Sequence, residues 1–222
     1  MEATRLRNLS EPDVYRLLEG AGLKVPLFRV AGTAEEAARA AAEIGFPVVL
    51  KVASADVLHK SKVGGVKVDL GTPEEVRAAF ESIVSAVRRA VPEARLEGCL
   101  VARQAPRGLA EAIVGAVRDA EFGRVVMFGV GGEFAEVLKC VQFRSLPLTV
   151  EEARRMVDKV RERMKAAAGW QRLDPAVAAE LVVRFAGLVG GHPEIESIDL
   201  NPAVIYEDGY LVVDAKGTVV SR

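Results

Sequence analysis

The chain has 222 residues, half of them hydrophobic, and a net charge of −1. That length supports one large core or two smaller ones, and a near-neutral balance does not mark a nucleic-acid binder. The two cysteines, Cys99 and Cys140, lie far apart without CxxC spacing, which excludes a disulfide framework and a cysteine metal site and reads as reduced core thiols of a cytoplasmic protein.

The opening MEATRLRNLSEPD lacks the apolar stretch of a secretory signal. No run approaches the ~18 continuous apolar residues of a membrane-spanning helix, so no membrane partner is expected. Helix starts are legible. Ser10 with Asp13, Thr33 with Glu36, Thr72 with Glu75 and Thr149 with Glu152 each pair an N-cap residue with an acid three positions on. Pro73 and Pro175 suit a first helical turn. Helices are therefore expected at 11–20, 34–44, 73–90, 150–167 and 175–189. Between them, apolar runs and alternating patterns predict strands at 46–53, 64–70, 98–104, 110–119, 124–132, 134–139, 195–206 and 210–215. Mixed helices and strands place the chain in the α/β or α+β class. ARQAPRG (102–108) interrupts the apolar pattern and divides the chain into expected subdomains 1–102 and 103–222.

Three stretches could carry chemistry. Lys51 ends an apolar run, where a lysine either meets an anion or snorkels to solvent. The loop SADVLHKSKVGG follows. Gly64 and Gly65 allow backbone amides to approach a phosphate, Lys60, Lys62 and Lys67 supply charge, and His59 is a possible nucleophile for phosphorus. A plain hairpin with solvated lysines is the other reading. FGVGGEFAEVLK (128–139), with Glu133 and Glu136, reads as a flexible loop over a substrate. His192 is expected in a solvated turn, and Trp170 in an exposed loop as a contact surface.

The closing hairpin permits a geometric expectation. Asp208-Gly209 is a strong two-residue turn signal. It would put Ala203 opposite Asp214 and place Asp199, Asn201 and Asp214 on one face. Asn201 and Asp214 would be diagonal neighbours, roughly 7–8 Å apart. Such oxygens could share a Mg²⁺, or form an ordinary wet face. Pro202 allows a bulge that would shift the register.

Taken in order, FPVVLKVASADVLHKSKVGGVKV, GCLVARQAPRG, EAIVGAVRDAEFGRVVMFGVGGEFAEVLKCVQFRSLPLT and IESIDLNPAVIYEDGYLVVDAK resemble the ATP-grasp β subunit of NDP-forming acyl-CoA synthetases, of the ADP-forming acetate–CoA ligase type. The resemblance runs from about residue 10 to 216 and extends distantly to the succinyl-CoA synthetase β subunit. It implies an ATP-grasp fold, two α/β subdomains that grip a nucleotide. It implies nucleotide binding by Lys51, Lys60, Gly64, Gly65 and the hinge residues Val101, Ala102, Arg103 and Ala105. Asn201, Asp214 and Asp199 are the implied Mg²⁺ ligands, His59 the phosphoryl acceptor, and Glu111 a second catalytic position, with Arg118 on the same strand. The implied reaction converts acyl-CoA, phosphate and ADP to acid, CoA and ATP through phosphohistidine. An α subunit carrying the CoA-binding and CoA-ligase domains would complete a heterotetramer. The chain departs from the pattern at Arg103, where a hinge glutamate is usual, and at Lys62, where aspartate is usual. GLAEAIVG carries one extra residue, and DAEFGR replaces the usual Asp-Pro-x-Phe-Gly-Pro. A non-catalytic partner subunit and a carboxylate–amine ligase are the alternative readings.

Overall fold

The computed structural model describes residues 5–132 and 135–221, without the side chain of Glu136. Strand β1 (Arg5–Leu9) and helix α1 (Glu11–Gly20) open the chain. The chain then divides into two compact units. The smaller comprises residues 8–13 and 26–105, and the larger takes its described residues from 1–7, 14–25 and 106–222. The change at Pro106 lies close to the expected boundary at 102, but the N-terminal segments 1–7 and 14–25 group with the C-terminal half.

The smaller unit contains β2 (Phe28–Ala31), α2 (Ala34–Ile44), β3 (Val48–Ala53), a 3-10 turn (Lys60–Val63), β4 (Val66–Leu70), α3 (Pro73–Ala90) and β5 (Gly98–Arg103). Its four strands form an antiparallel sheet in the order β2-β5-β3-β4. Helices α2 and α3 contribute Ala37, Ala41, Val76, Ile83 and Val87 to a core completed by Val48, Leu50, Cys99 and Val101. Small alanines on α2 let α3 pack closely, and each large aliphatic buried there contributes about 1.5–3 kcal/mol. Burial pushes the Cys99 thiol up to about 12, so it is an inert core group.

The larger unit contains β6 (Ala110–Asp119), β7 (Gly123–Val130), α4 (Ala135–Leu138), β8 (Val141–Ser145), α5 (Val150–Arg163), α6 (Ala168–Arg172), α7 (Pro175–Gly191), β9 (Ile195–Ile205), β10 (Tyr210–Val212) and β11 (Ala215–Ser221). The sheet runs β1-β11-β9-β6-β7-β8, with β10 also on β9. Met156, Leu181, Phe185, Phe128 and Leu200 are fully buried in its core.

Capping explains the helix starts. Thr72 with Glu75 and Thr149 with Glu152 form complete capping boxes, and such a cap contributes about 1 kcal/mol. Thr33 accepts from the Glu36 amide, while Glu36 reaches back to the Gly32 amide. Ser10 departs from expectation. Its hydroxyl lies 3.0 Å from the Asp13 carboxylate and 3.1 Å from that of Glu97, and the Asp13 amide donates to the Ser10 carbonyl instead.

Other expectations are corrected. The helix expected to reach 167 ends at Arg163, and Trp170 lies in α6, only 5% exposed. Its ring meets Phe128 edge-on at 6.3 Å. Gly169 permits this, because a β-carbon there would overlap the Leu109 carbonyl. Trp170 is thus core, not a contact surface. Residues 135–138 are helical rather than strand, and the substrate-loop expectation for Glu133 and the Glu136 side chain lies outside the described residues. The strand expected at 210–215 is two strands, with Val213 and Asp214 between them.

Candidate functional site

In the smaller unit, the first turn of α1 presents Glu11, which is 4% exposed. Strand β3 presents Lys51 and the 3-10 turn presents Lys60, at 8% and 7%. Lys51 Nζ donates to Glu11 Oε1 at 2.7 Å, and Lys60 Nζ lies 3.3 Å from Glu11 Oε2. A buried ammonium needs such a counter-charge. Lys51 is therefore neither snorkelling nor at the end of its strand, which continues to Ala53. Lys60 is no solvated loop lysine, whereas Lys62 and Lys67 are exposed.

His59 caps the 3-10 turn with its backbone. Its carbonyl accepts from the Lys62 amide at 3.1 Å, while its side chain is exposed and makes no capping bond. An exposed imidazole suits a group that must meet an incoming phosphoryl group. The glycine pair does not form the expected phosphate cradle. The Gly65 amide donates to the Lys60 carbonyl at 2.8 Å, and the Gly64 amide to Ser61 at 3.2 Å. Gly64 has φ +70°, and a β-carbon on Gly65 would lie 2.8 Å from Val52 Cγ1. The pair closes the turn tightly onto β3, and in doing so brings Lys60 to Glu11.

The hinge expectation also narrows. Strand β5 pairs on both sides: Val101 lies opposite Arg29 on β2 and Leu50 on β3, and Ala102 opposite Phe28 and Val49. The backbone of Val101 and Ala102 is taken up by these ladders. The Arg103 amide donates to Leu27, and the Gln104 amide to Pro47. The Arg103 guanidinium donates to the Ile44 carbonyl at 3.0 Å, over Gly45, at the C-terminal end of α2. A cation is favourable there, which accounts for arginine at this position and turns its side chain to the helix end. Ala105 is the first expected hinge residue beyond the ladder. Gln104 and Asp69 hold each other by paired side-chain and backbone bonds.

In the larger unit, the hairpin register differs from expectation by two residues. Ile205 pairs with Tyr210 and Ala203 with Val212, and the Tyr206 amide donates to the Gly209 carbonyl, so Glu207 and Asp208 occupy the turn in place of Asp208 and Gly209. Glu207 pairs with Arg172, and Tyr206 Oη donates to the Pro106 carbonyl, contacts that fix the displaced turn. The shift is even, so faces are kept. Asn201 now lies directly opposite Asp214, its amide donating to the Asp214 carbonyl at 3.0 Å. The pairing continues through Leu200–Ala215 and Asp199–Lys216. The irregularity that Pro202 signals falls on the other side, between β9 and β6.

Asn201 Oδ1 accepts from the Gly132 amide at 2.9 Å. A β-carbon at Gly132 would overlap the Glu111 carboxylate, so the last glycine of GVGG brings Glu111 and Asn201 to one place. Asp199 lies opposite Gly115, whose missing side chain leaves room for its carboxylate. Burial raises the Asp199 carboxyl above the usual range. Lys216 opposes this and Asp214 adds to it. Arg118 is elsewhere on β6, bonded to the Pro193 carbonyl and paired with Glu196. His192 pairs with Glu194 at 2.8 Å, at the end of α7.

Among the described residues, no three His, Cys, Asp or Glu side chains cluster as a metal site. Asp199, Asp214 and Asn201 offer two carboxylates and an amide oxygen, the hard and sparse donor set that Mg²⁺ accepts alongside water and phosphate. The residues therefore fit the ion. Glu11 was not foreseen. An acid in a first helical turn reads as a partner of the helix dipole, and nothing in SEPD signals two lysines from further along the chain.

Residues 1–219 match the ATP-grasp domain family. The chain is 41% identical over 212 residues to the acetate–CoA ligase (ADP-forming) I subunit beta of Pyrococcus furiosus, covering 95% of this chain and 91% of that one. It is 44% identical over 200 residues to acetate–CoA ligase (ADP-forming) I of Archaeoglobus fulgidus; that match covers 89% of this chain but 29% of that longer one. The dinucleotide forming acetyl-coenzyme A synthetase 1 of Ca. Korarchaeum cryptofilum, in complex with coenzyme A and Ca-AMPCP, superposes with a TM-score of 0.90 at 40% identity, covering 97% of this chain and 94% of that one. The same enzyme with coenzyme A and Mg-AMPPCP, its phosphohistidine segment pointing towards the nucleotide binding site, gives 0.80 at 36%, covering 97% and 93%. The match across almost its whole length, with these relatives, places the chain in the ATP-grasp family, among the beta subunits of ADP-forming acetate–CoA ligases.

Proposed function

We propose that this chain is the nucleotide-binding subunit of an ADP-forming acyl-CoA ligase, acting with an α partner to convert acyl-CoA, ADP and phosphate to acid, CoA and ATP. The observation that carries the reading is the lysine pair gathered on Glu11 beside an exposed His59. Ammonium groups held in place suit a nucleotide's phosphates, and an accessible imidazole suits phosphoryl transfer.

In this reading His59 takes a phosphoryl group delivered by the partner, forming an N–P bond as the donor's bond to phosphorus breaks. A terminal phosphate oxygen of ADP then takes the group. The O–P bond of ATP forms, the N–P bond breaks, and the imidazole is regenerated. Lys51 and Lys60 bind phosphate oxygens, and backbone from Ala105 onward meets the base. Glu111 lies close to Gly132 and Asn201 as a second catalytic group. Asn201, Asp214 and Asp199 would hold Mg²⁺, which neutralises phosphate charge when bound.

The α partner supplies the CoA-binding and CoA-ligase domains, in a heterotetramer. A longer relative named for the acetate–CoA ligase activity, of which this chain covers 29%, supports this division. No helix among the described residues is long and apolar enough to cross a membrane, and the reduced thiols favour the cytoplasm. The test is ATP formation from acetyl-CoA, ADP and phosphate by the chain with its α partner. Activity is expected only when both are present and is lost in His59→Ala. Full activity in His59→Ala would instead favour a ligase that needs no phosphohistidine.

A further inference from the structure

Glu11 lies outside every motif that marks the family resemblance, yet it is among the few buried charged residues of the smaller unit. Its two carboxylate oxygens are divided between two lysines. Oε1 accepts from Lys51 at 2.7 Å, and Oε2 lies 3.3 Å from Lys60 Nζ. The lysines come from separate elements, β3 and the 3-10 turn. A lysine ammonium sits on a flexible four-carbon stem, and two such groups repel each other when brought together. A single carboxylate fixed between them removes both difficulties.

The carboxylate is itself well anchored. It leaves the first residue of α1, where the Asp13 amide bonds the Ser10 carbonyl and the Ser10 hydroxyl lies between the Asp13 and Glu97 carboxylates. The tight Gly64-Gly65 turn then places Lys60 against it.

We propose that Glu11 is a positioning residue for nucleotide phosphates: it holds the Lys51 and Lys60 ammonium groups side by side as one preorganised phosphate-binding pair. This rests on the reading above that the two lysines bind nucleotide phosphate. An ammonium carries three donors, so a bond to Glu11 is compatible with a bond to a phosphate oxygen. Preorganised donors of this kind hold a ligand better than mobile ones.

The test compares Mg-ADP and adenosine binding by calorimetry in the chain with its α partner, for the wild type, Glu11→Gln, Glu11→Asp, Lys51→Met and the double variant Glu11→Gln/Lys51→Met. Removing an orienting partner of this kind weakens binding about 10- to 100-fold. That loss is expected for Mg-ADP in Glu11→Gln, with a much smaller change for adenosine, which lacks phosphate. Glu11→Asp keeps the charge and is expected to recover part of the affinity. It also serves should the glutamine variant fold poorly. Because Glu11 acts through the lysines, its replacement is expected to add little in the Lys51→Met background. Equal losses for Mg-ADP and adenosine, or full additivity with Lys51→Met, would show a merely structural role and overturn the proposal. Loss of Mg-ADP binding in Lys51→Met with none in Glu11→Gln would overturn it while leaving the lysine reading intact. Unchanged Mg-ADP binding in Lys51→Met would overturn both.

Discussion

Asn201 and Asp214 face each other directly, the Asn201 amide donating to the Asp214 carbonyl at 3.0 Å, one step before the continuous β9–β11 pairing begins at Leu200 and Ala215. Burial, with a smaller contribution from Asp214, raises the Asp199 carboxyl above the usual range, and a cation held here in the proposed reading would relieve that repulsion. Asp214→Ala is expected to weaken Mg²⁺-dependent ADP binding about 10- to 100-fold. Titrations with and without Mg²⁺ check this. The variant should lose the magnesium-dependent part of the affinity and keep the rest.

Gly65 is required by space. A β-carbon would lie 2.8 Å from Val52 Cγ1 and 3.0 Å from the Lys60 carbonyl, in a turn that also seats Lys60 on Glu11. Overpacking of this kind costs about 1–3 kcal/mol. Gly65→Ala is expected to lower stability by that amount in denaturant unfolding.

The Arg103 guanidinium lies on the Ile44 carbonyl. Arg103→Glu reverses the charge at the end of α2 and is expected to cost about 0.3–1 kcal/mol. Mg-ADP affinity should be unchanged, since the side chain is turned to the helix end. Titration alongside thermal unfolding separates the two effects.

Hydrogen bonds from the Thr149 amide and hydroxyl hold the Glu152 carboxyl below its usual range. A carboxyl lowered in the folded state stabilises the fold above its unfolded value, and that contribution disappears as pH falls through the folded value. Glu152→Gln is therefore expected to be less stable than the wild type at neutral pH. The difference should close as the pH falls well below 4.5. Unfolding curves at several pH values check the convergence.

Much of this was readable from the chain. Thr72–Glu75 and Thr149–Glu152 marked two helix starts, because a cap is a local chemical event. The apolar run at 110–119 marked β6 to the residue. Short strands such as β2, FRVA, carry too few residues for a period. The hairpin turn was misread because the tertiary contacts of Tyr206 and Glu207 overrode the Asp208-Gly209 preference. The candidate Mg²⁺ ligands survived that error because a two-residue slip preserves the face. Ser10 looked like an N-cap, yet its hydroxyl turned to the Asp13 and Glu97 carboxylates. Glu11 was beyond reach for a related reason. Its partners lie far along the sequence, and only folding brings Lys51 and Lys60 to it.

The central claim is that His59 carries phosphate on its way to or from the nucleotide. The most direct measurement is transfer of ³²P from γ-labelled ATP to this chain in the assembled enzyme, with the subunits separated under alkaline conditions that preserve phosphohistidine. The account predicts an acid-labile, base-stable label on this chain that is lost in His59→Ala. A label that persists in His59→Ala, or an active enzyme whose nucleotide subunit never becomes labelled, would contradict it.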